Sequence, residues 1–232
     1  MKREVTNVIR FCMDELLPPI IRDNKYFMYP FFYYAFRGRN IKTMMEFKSM
    51  VGKMSEEEYM DIYKNLNTIG SNRPTDLNQS SIDYIMSQID DSDQSVIDVG
   101  CGRGYFVEKL IERFPEKKIY GADLLPPLDI PQLHYLQTNI EKIPLSDKSV
   151  DVVVCSHVLE HVQDFDKAVE ELKRIARKKI IITVPKQRYY YYTLDLHLRF
   201  FNREYELAEA MKMDDYEIKN RNGDFVFVGR VT

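Results

Sequence analysis

The spacing of hydrophobic residues changes character about two fifths of the way along the chain. In the first part apolar residues recur at helical spacing, and Ser55 followed by Glu58 has the capping-box pattern that begins a helix. In the second part short apolar runs alternate with amphipathic helical stretches, which is typical of an α/β fold. The pattern therefore predicts a helical lid over residues 1–90 and an α/β domain over residues 91–232.

Four apolar runs in the second part predict strands of a parallel sheet. They are SVIDVG at 95–100, KKIYGADL at 117–124, DVVVCS at 151–156 and KKIIITVP at 178–185. Helical stretches separate them, so both faces of the sheet are predicted to be covered. One of these stretches is predicted to run as a helix over residues 157–176.

The end of the chain carries a hairpin signal. Two strand-like runs flank the pair Asn222 and Gly223, which favours a tight turn between antiparallel strands. A hairpin after an alternation of strands and helices predicts an antiparallel edge on an otherwise parallel sheet.

Composition narrows the class of protein. The chain has 232 residues, 30% of them charged, with a formal net charge of −3 and no dominant lysine or arginine block, which argues against a nucleic-acid partner. No apolar stretch is long enough to span a membrane. The cysteines Cys12, Cys101 and Cys155 are far apart and lack metal-ligand spacing, which suits a reducing cytoplasm.

Candidate chemistry lies directly behind the first strand. Gly100, Gly102 and Gly104 form a G-x-G-x-G turn, where glycine lets a ligand approach the backbone. Tyr105 stands where a dinucleotide-binding loop has its third glycine, which disfavours a nicotinamide-dependent dehydrogenase. Asp123 ends the next strand about 20 residues further on, where a carboxylate accepts ribose hydroxyls. The pattern indicates a nucleoside site without a pyrophosphate cradle.

Several segments in order carry a family resemblance. VIDVGCGRG, GADL, TNIEKIPLSDKSVDVVVCSHVLEHV and ELKRIARKKIIITVP resemble the successive motifs of class I S-adenosylmethionine-dependent methyltransferases, in their bacterial small-molecule branch. The resemblance covers residues 95 to about 185. It implies a Rossmann-like, seven-stranded, mostly parallel sheet with an antiparallel C-terminal strand, and it implies S-adenosyl-L-methionine as the cofactor.

The resemblance also implies contacts for individual positions. Asp98 and the glycine loop would lie near the methionine part, Asp123 would hold the ribose, and Leu124 would pack on the adenine. Asn139 and Ile140 would meet the adenine edge and face. The end of the third run, at Cys155 and Ser156, would face the sulfonium. The implied cofactor-binding residues are Asp98, Gly100, Cys101, Gly102, Gly104, Asp123, Leu124, Asn139, Ile140, Cys155 and Ser156. Aspartate is commoner in the family where Asn139 stands, although an asparagine amide matches an adenine edge.

Histidines are the candidate catalytic groups. His157, Glu160 and His161 spell H-x-x-E-H, an inverted zinc-protease signature, but the motif follows a sheet strand and we expect no metal site. His157 begins the loop near the expected methyl position and is a candidate to orient the acceptor. His197, in the tyrosine-rich insert after the fourth run, is the leading candidate for a general base.

Aromatic and basic residues offer candidate substrate contacts. Residues 26–36 are mostly aromatic, and their packing in a core, a role as a lid over a sulfonium, a peripheral membrane surface and a homodimer contact all remain open. The candidate substrate-binding residues are Tyr33, Arg37, Tyr190 and Tyr192. Arg73, just before the sheet, is the candidate for binding the methionine carboxylate.

The sequence thus favours a cytoplasmic methyltransferase of a small polar metabolite or sugar. O-methylation in surface-glycan or secondary-metabolite biosynthesis is preferred because histidines and tyrosines surround the expected acceptor site. One alternative is an N-methyltransferase of a small, phosphorylated or unphosphorylated amine, which needs no base. A second is an interaction protein that binds the cofactor without catalysis.

Overall fold

The computed structural model describes residues 11–64 and 74–231, which divide into two units. The helical unit is Met1–Arg73 with Gln187–Phe200, and the sheet unit is Pro74–Lys186 with Phe201–Thr232. The sequence placed the division at residue 90 instead. The structural boundary comes earlier because the helix after Pro74 buries Ile82 and Ile85 in a layer of the sheet unit.

The sheet of the sheet unit has the predicted architecture. Its strands are β1 (Ser95–Val99), β2 (Lys118–Asp123), β3 (Leu133–Gln137), β4 (Val150–Ser156), β5 (Ala176–Pro185), β6 (Tyr216–Arg221) and β7 (Asp224–Arg230). Their spatial order is β3-β2-β1-β4-β5-β7-β6. The pairs among β1 to β5 are parallel, whereas β7 is antiparallel to both β5 and β6. The predicted seven-stranded sheet with a reversed C-terminal strand is confirmed.

Helices cover the sheet and build the second unit. The described helices are α1 (Pro19–Arg22), α2 (Lys25–Ala35), α3 (Ile41–Met50), α4 (Glu56–Lys64), α5 (Gln79–Ser87), α6 (Tyr105–Arg113), α7 (Phe165–Ile175) and α8 (Glu204–Met211). Short turns of other helical types occupy Cys12–Leu16, Val51–Lys53 and Leu159–His161. In the described part of the chain, no helix combines the length and the apolar character that crossing a bilayer requires.

The two faces of the sheet bury separate apolar layers. Ile97 of β1 lies in one layer with Leu172 of α7, and Val96 lies in the other with Leu110 of α6 and Ile85 of α5. Successive residues of β1 point to opposite faces, so a strand that is covered on both sides is apolar at almost every position. Ser95 and Asp98 are the two polar residues of β1, and Asp98 is the one that carries a carboxylate, so its burial calls for a separate explanation.

Two local signals in the sequence have the predicted outcome. Asn222 and Gly223, with φ of 50° and 93°, form the tight turn between β6 and β7. At the start of α4 the Ser55 N–H donates to Glu58 Oε2 at 2.9 Å, and the Glu58 N–H donates to Ser55 Oγ at 3.2 Å. The hairpin and the capping box are both confirmed.

The segment after β4 is not the continuous helix that the sequence predicts. His157 has a left-handed φ of 56°, one 3₁₀ turn follows at Leu159–His161, and α7 begins only at Phe165. Asp164 caps α7 by accepting a hydrogen bond from the Lys167 N–H at 3.2 Å. His157 and His161 are therefore not on one helix, and the helix that the H-x-x-E-H signature requires is absent there.

The helical unit has a small core of its own. Met28, Phe32 and Phe36 follow one another at four-residue intervals along α2 and are buried in this core. Leu196, from the insert 187–200, is buried with them. The insert therefore packs with the N-terminal helices, which is why the two segments form one unit.

Candidate functional site

The candidate site lies at the carboxyl edge of the sheet, where β1, β2 and β4 end side by side. Val99 of β1 pairs with Ala122 of β2 and with Cys155 of β4. The loops that begin at Gly100 and Asp123 therefore start next to each other. Open α/β sheets bind their ligands at this edge.

The three positions of the loop after β1 require glycine for different structural reasons. All three have positive φ, which an L side chain rarely adopts. A Cβ on Gly100 would overlap Val158, and a Cβ on Gly104 would lie 2.5 Å from Ile130 Cδ1. A Cβ on Gly102 would meet no described atom within 4 Å. Packing thus explains Gly100 and Gly104, whereas Gly102 borders open space.

Asp123 fastens this loop to the end of β2. Its Oδ2 accepts a hydrogen bond from the Gly102 N–H at 2.7 Å, and its Oδ1 accepts one from the Leu125 N–H at 2.9 Å. The carboxylate is half-buried, as is Leu124 beside it. Each carboxylate oxygen has a second lone pair, so Asp123 can still accept hydrogen bonds from two hydroxyls of a ligand.

Asp98 is a buried carboxylate without a hydrogen-bond partner among the described residues. It is 4% exposed and lies in β1 between the apolar residues Ile97 and Val99. Burial, together with the nearby negative charge of Asp123, raises the pKa of Asp98 from 3.8 to about 7. A cationic group bound here would favour the ionised form of Asp98.

Asn139 and Ile140 follow the end of β3, which lies beside β2. The Thr138 N–H donates to the Asp123 carbonyl at 2.8 Å and so ties this loop to the end of β2. Asn139 Oδ1 accepts a hydrogen bond from the Glu141 N–H at 3.0 Å, and Ile140 is half-buried against the sheet. The structure places both residues along the same edge as Asp123, and their contact with adenine stays a prediction.

The two cysteines near the edge point into the apolar layers. Cys155 is 1% exposed and packs in the layer that contains Leu159, while Cys101 is buried in the opposite layer. Burial raises the pKa of both thiols, which keeps them neutral. The Cys155 side chain is thus a core residue, because alternation along β4 turns it into that layer, and the prediction that the strand end at this position faces the sulfonium concerns its backbone.

Two hydroxyls at the end of β4 and β5 lack partners in the described part of the chain. Ser156 Oγ and Thr183 Oγ1 are buried there, and neither makes a hydrogen bond. Ser156 pairs with Thr183 across the two strands, so both hydroxyls lie at the same register of the sheet. The family motifs predicted Ser156 but not Thr183, although Thr183 is the one hydroxyl-bearing residue in the aliphatic run IIITVP.

His157 lies between two buried carboxylates. Its Nδ1 is 3.3 Å from Glu160 Oε1, and its Nε2 is 3.6 Å from Asp224 Oδ2. Burial alone would lower the pKa of His157, but hydrogen bonding and charge from Asp224 and Glu160 raise it to about 10. A pKa of about 10 favours the protonated imidazole at neutral pH, and the role of His157 in orienting the acceptor stays a prediction.

Asp224 connects His157 to the start of α5. Its Oδ2 accepts hydrogen bonds from Asn78 Nδ2 at 2.6 Å and from Ser81 Oγ at 3.1 Å. Asn78 also caps α5 by accepting from the Ser81 N–H at 2.9 Å. This polar cluster holds the loop after β4 in its left-handed conformation, so His157 positions the loop that begins with Ser156 and Val158.

His197, the leading candidate base, is buried in the helical unit. Its Nδ1 is 2.7 Å from Gln187 Oε1 and 3.5 Å from Asp195 Oδ2, both of which accept. Nδ1 therefore carries the hydrogen, and in the neutral ring the lone pair is on Nε2. A general base acting through Nε2 needs this tautomer, because Nε2 must be unprotonated to accept a proton.

The candidate substrate residues of the helical unit differ in their exposure. Tyr190 is 1% exposed and its ring stacks 4.7 Å from the guanidinium of Arg22, so it is a core residue. Tyr192 is half-buried and packs edge-on against Phe32. Tyr33 is 57% exposed.

The two arginine predictions have different outcomes. Arg37 is exposed and has a left-handed φ of 53° just after α2. Arg73, predicted to bind the methionine carboxylate, lies outside the described residues. Neither arginine is placed in a ligand site by the described contacts.

Comparison with known proteins agrees with the motif order. Residues 97–183 match the model of the family described as "Methyltransferase domain". The chain is 36% identical over 90 residues to malonyl-[acyl-carrier protein] O-methyltransferase of Serratia marcescens, covering 36% of this chain and 34% of that protein. It is 30% identical over 113 residues to ubiquinone biosynthesis O-methyltransferase of Hahella chejuensis, covering 44% and 47%. The chain thus spans less than half the length of these curated relatives.

Solved structures share the fold. A SAM-dependent methyltransferase from Aquifex aeolicus superimposes with a TM-score of 0.55 at 19% identity, covering 75% of this chain and 98% of that one. A possible histamine N-methyltransferase from Thermotoga maritima gives a TM-score of 0.52 at 16% identity, covering 80% and 98%. At these identities the likeness concerns the fold. The family match over residues 97–183, together with the ordered motifs at the sheet edge, identifies this part of the chain as a methyltransferase domain that uses S-adenosyl-L-methionine.

Proposed function

We propose that this chain transfers the methyl group of S-adenosyl-L-methionine to a hydroxyl of a small polar metabolite or sugar. The observation that carries the proposal is the meeting of three features at one sheet edge. They are the unpartnered carboxylate of Asp98, the open backbone at Gly102 and the accepting carboxylate of Asp123. Each one matches a different part of the cofactor.

The residues at the edge fit the cofactor chemically. Asp98 would pair with the methionine ammonium, Gly102 would leave room for the chain that joins it to the sugar, and Asp123 would accept both ribose hydroxyls. The buried hydroxyls of Ser156 and Thr183 offer further hydrogen bonds at the same edge. When bound, the cofactor supplies a methyl group on a sulfonium, which is already activated for displacement.

Because the donor is activated, the protein contributes mainly by positioning. Holding donor and acceptor in line can contribute up to about 7–11 kcal/mol. A hydroxyl acceptor must also lose its proton, and we propose His197 Nε2 as the group that takes it. The hydrogen bond from Nδ1 to Gln187 supports this role, because it fixes the required tautomer.

The two curated relatives named above are O-methyltransferases by name, and this favours a hydroxyl or carboxyl oxygen over an amine. The N-methyltransferase alternative predicts no need for a base. A binding protein without catalysis is the second alternative. We place the reaction in the cytoplasm, in keeping with three cysteines that are all free thiols.

Methyl transfer is tested with labelled donor and a panel of sugars, phenols, small acids and amines. We expect an oxygen acceptor, and we expect His197→Gln to lower kcat by about 100-fold or more while the affinity for S-adenosylhomocysteine stays within about threefold. His134→Gln, on the exposed side of β3, is the matched control. Transfer to an amine that His197→Gln leaves unchanged would support the N-methyltransferase, and cofactor binding without transfer to any acceptor would support the binding protein.

Gly102→Ala separates ligand contact from backbone strain. Alanine at a left-handed position destabilises the fold by about 1–2 kcal/mol, and we expect this for Gly102→Ala and equally for Gly223→Ala, whose φ is 93° and whose Cβ also meets no described atom within 4 Å. Isothermal titration calorimetry with S-adenosylhomocysteine should show a loss of affinity for Gly102→Ala alone. Equal affinities in the two variants would contradict a contact between the cofactor and Gly102.

Cofactor affinity should increase with pH because of Asp98. Its pKa of about 7 in the free protein means that the carboxyl is largely neutral in mild acid and ionised above neutrality. Only the ionised form pairs with an ammonium, so affinity for S-adenosylhomocysteine should rise between about pH 5 and pH 8, with proton release on binding below neutrality. Titrations in buffers of different ionisation enthalpy measure that release, and Asp98→Asn should abolish it. An unchanged pH profile in Asp98→Asn would contradict the assignment.

A further inference from the structure

Helix α2 has an aromatic outer face opposite its core face. Met28, Phe32 and Phe36 are buried on the inner side. The outer side carries tyrosines that are more than half exposed, and we call them the tyrosine face. They are Tyr26, Tyr29, Tyr33 and Tyr34, at 78%, 51%, 57% and 68% exposure.

Exposed aliphatic side chains precede the tyrosine face in the chain. Ile20 in α1 is 82% exposed, Ile21 is 38% exposed and Leu16 is 64% exposed. A single exposed apolar residue is ordinary, but a consecutive stretch that combines aliphatic and tyrosine side chains marks an interaction surface. The stretch from residue 16 to residue 34 is of this second kind.

The exposed charges along this part of the chain are mostly positive. Between residues 15 and 46 the exposed charged side chains are Lys25, Arg37, Arg39 and Lys42, with Glu15, which pairs with Arg188 at 3.0 Å, and Glu46. The other two charged residues of that range are engaged inside the unit. Arg22 is buried, and Asp23 is half-buried, where its carboxylate accepts a hydrogen bond from the Tyr191 N–H at 2.6 Å. The surface is therefore both aromatic and basic.

We propose that the tyrosine face and its basic neighbours bind peripherally to an anionic lipid bilayer. Tyrosine places an apolar ring at the acyl boundary and its hydroxyl among headgroups, and exposed isoleucine and leucine add apolar contact. Lysine and arginine beside them attract anionic headgroups. This surface goes beyond the methyl transfer proposed above and does not depend on it.

The charge pattern favours a bilayer over a second copy of the chain. Two copies of this face would bring like charges together, which opposes a symmetric dimer. An acidic protein partner would satisfy the basic residues, but an exposed aliphatic stretch together with tyrosine is typical of lipid interfaces.

The test is co-sedimentation of the full chain with vesicles. We expect binding to phosphatidylglycerol mixed with phosphatidylcholine, little binding to phosphatidylcholine alone, and weakening with added salt. Tyr26→Ser/Tyr29→Ser/Tyr34→Ser and Lys25→Glu/Arg39→Glu should each lower the partition coefficient at least about tenfold. Both should leave the affinity for S-adenosylhomocysteine unchanged.

The matched controls lie on the sheet unit. Arg113→Glu/Lys118→Glu makes the same change of charge at exposed positions, and Tyr205→Ser removes a tyrosine that is 57% exposed. Both controls should bind vesicles like the unaltered protein. The proposal is overturned if the unaltered protein does not distinguish the two kinds of vesicle, or if the control pair weakens binding as strongly as Lys25→Glu/Arg39→Glu. It is also overturned if sedimentation velocity shows a dimer that the tyrosine variant dissociates while no vesicle binding occurs.

Discussion

Asp123→Ala is expected to weaken the binding of S-adenosylhomocysteine about 100- to 1000-fold. The half-buried carboxylate would lose charge-assisted hydrogen bonds to two ribose hydroxyls, together about 3–4 kcal/mol. It would also release the N–H groups of Gly102 and Leu125, which it holds at 2.7 and 2.9 Å, so the loop would become less ordered. Calorimetric titration measures the change directly.

Two further variants separate these contributions. Asp123→Asn keeps one carbonyl oxygen as an acceptor and should lose less affinity than Asp123→Ala. Asp129→Ala, at an exposed position of the segment between β2 and β3, should bind like the unaltered protein. The ribose contact would be contradicted if Asp123→Ala bound S-adenosylhomocysteine within threefold of the unaltered protein while circular dichroism showed an intact fold.

His157→Asn is expected to lower the free energy of unfolding by about 3–5 kcal/mol, because it leaves Glu160 and Asp224 buried without their shared cation. Asparagine tolerates a left-handed φ, so the loss of stability measures the missing positive charge and not a strained backbone. Urea denaturation measures it, with the exposed His134→Asn as control. The double variant His157→Asn/Asp224→Asn should lose less than the sum of its two single variants.

The ion pairs of His157 with Glu160 and Asp224 also predict how the free energy of unfolding depends on pH. The pKa of His157 is raised from 6.5 to about 10 in the folded protein, so its contribution is complete below pH 6.5 and is lost as the pH rises through 10. The free energy of unfolding should decline over this window in the unaltered protein and decline less in His157→Asn. A loss below about 1 kcal/mol in His157→Asn, or identical pH profiles, would contradict the buried ion pair.

The features that the sequence predicted are those with local signals. The hairpin at Asn222 and Gly223 and the capping box at Ser55 and Glu58 depend on residues within a few positions of each other. The glycine loop is similar, because glycine is the residue type that most readily adopts a left-handed backbone conformation. Local chemistry of this kind does not need knowledge of distant partners.

The features that the sequence missed depend on distant partners. The loop after β4 was predicted as helix, yet His157 takes its conformation beside Asp224, which lies at the start of β7. The burial of Tyr190 over Arg22, from the first helix, could not be read from the run of four tyrosines. Thr183 became a candidate only when its register with Ser156 was known. Helical and aromatic patterns are the same in both outcomes, so only the tertiary contacts distinguish them.

Calorimetry with S-adenosyl-L-methionine and S-adenosylhomocysteine on the purified full chain tests the central claim most directly. We expect saturable one-to-one binding of both ligands at the carboxyl edge of the sheet, weakened in Gly102→Ala and unchanged in Gly223→Ala. Absence of heat with either ligand, from protein that circular dichroism shows to be folded, would contradict the claim that Asp98, Gly102 and Asp123 form a cofactor site.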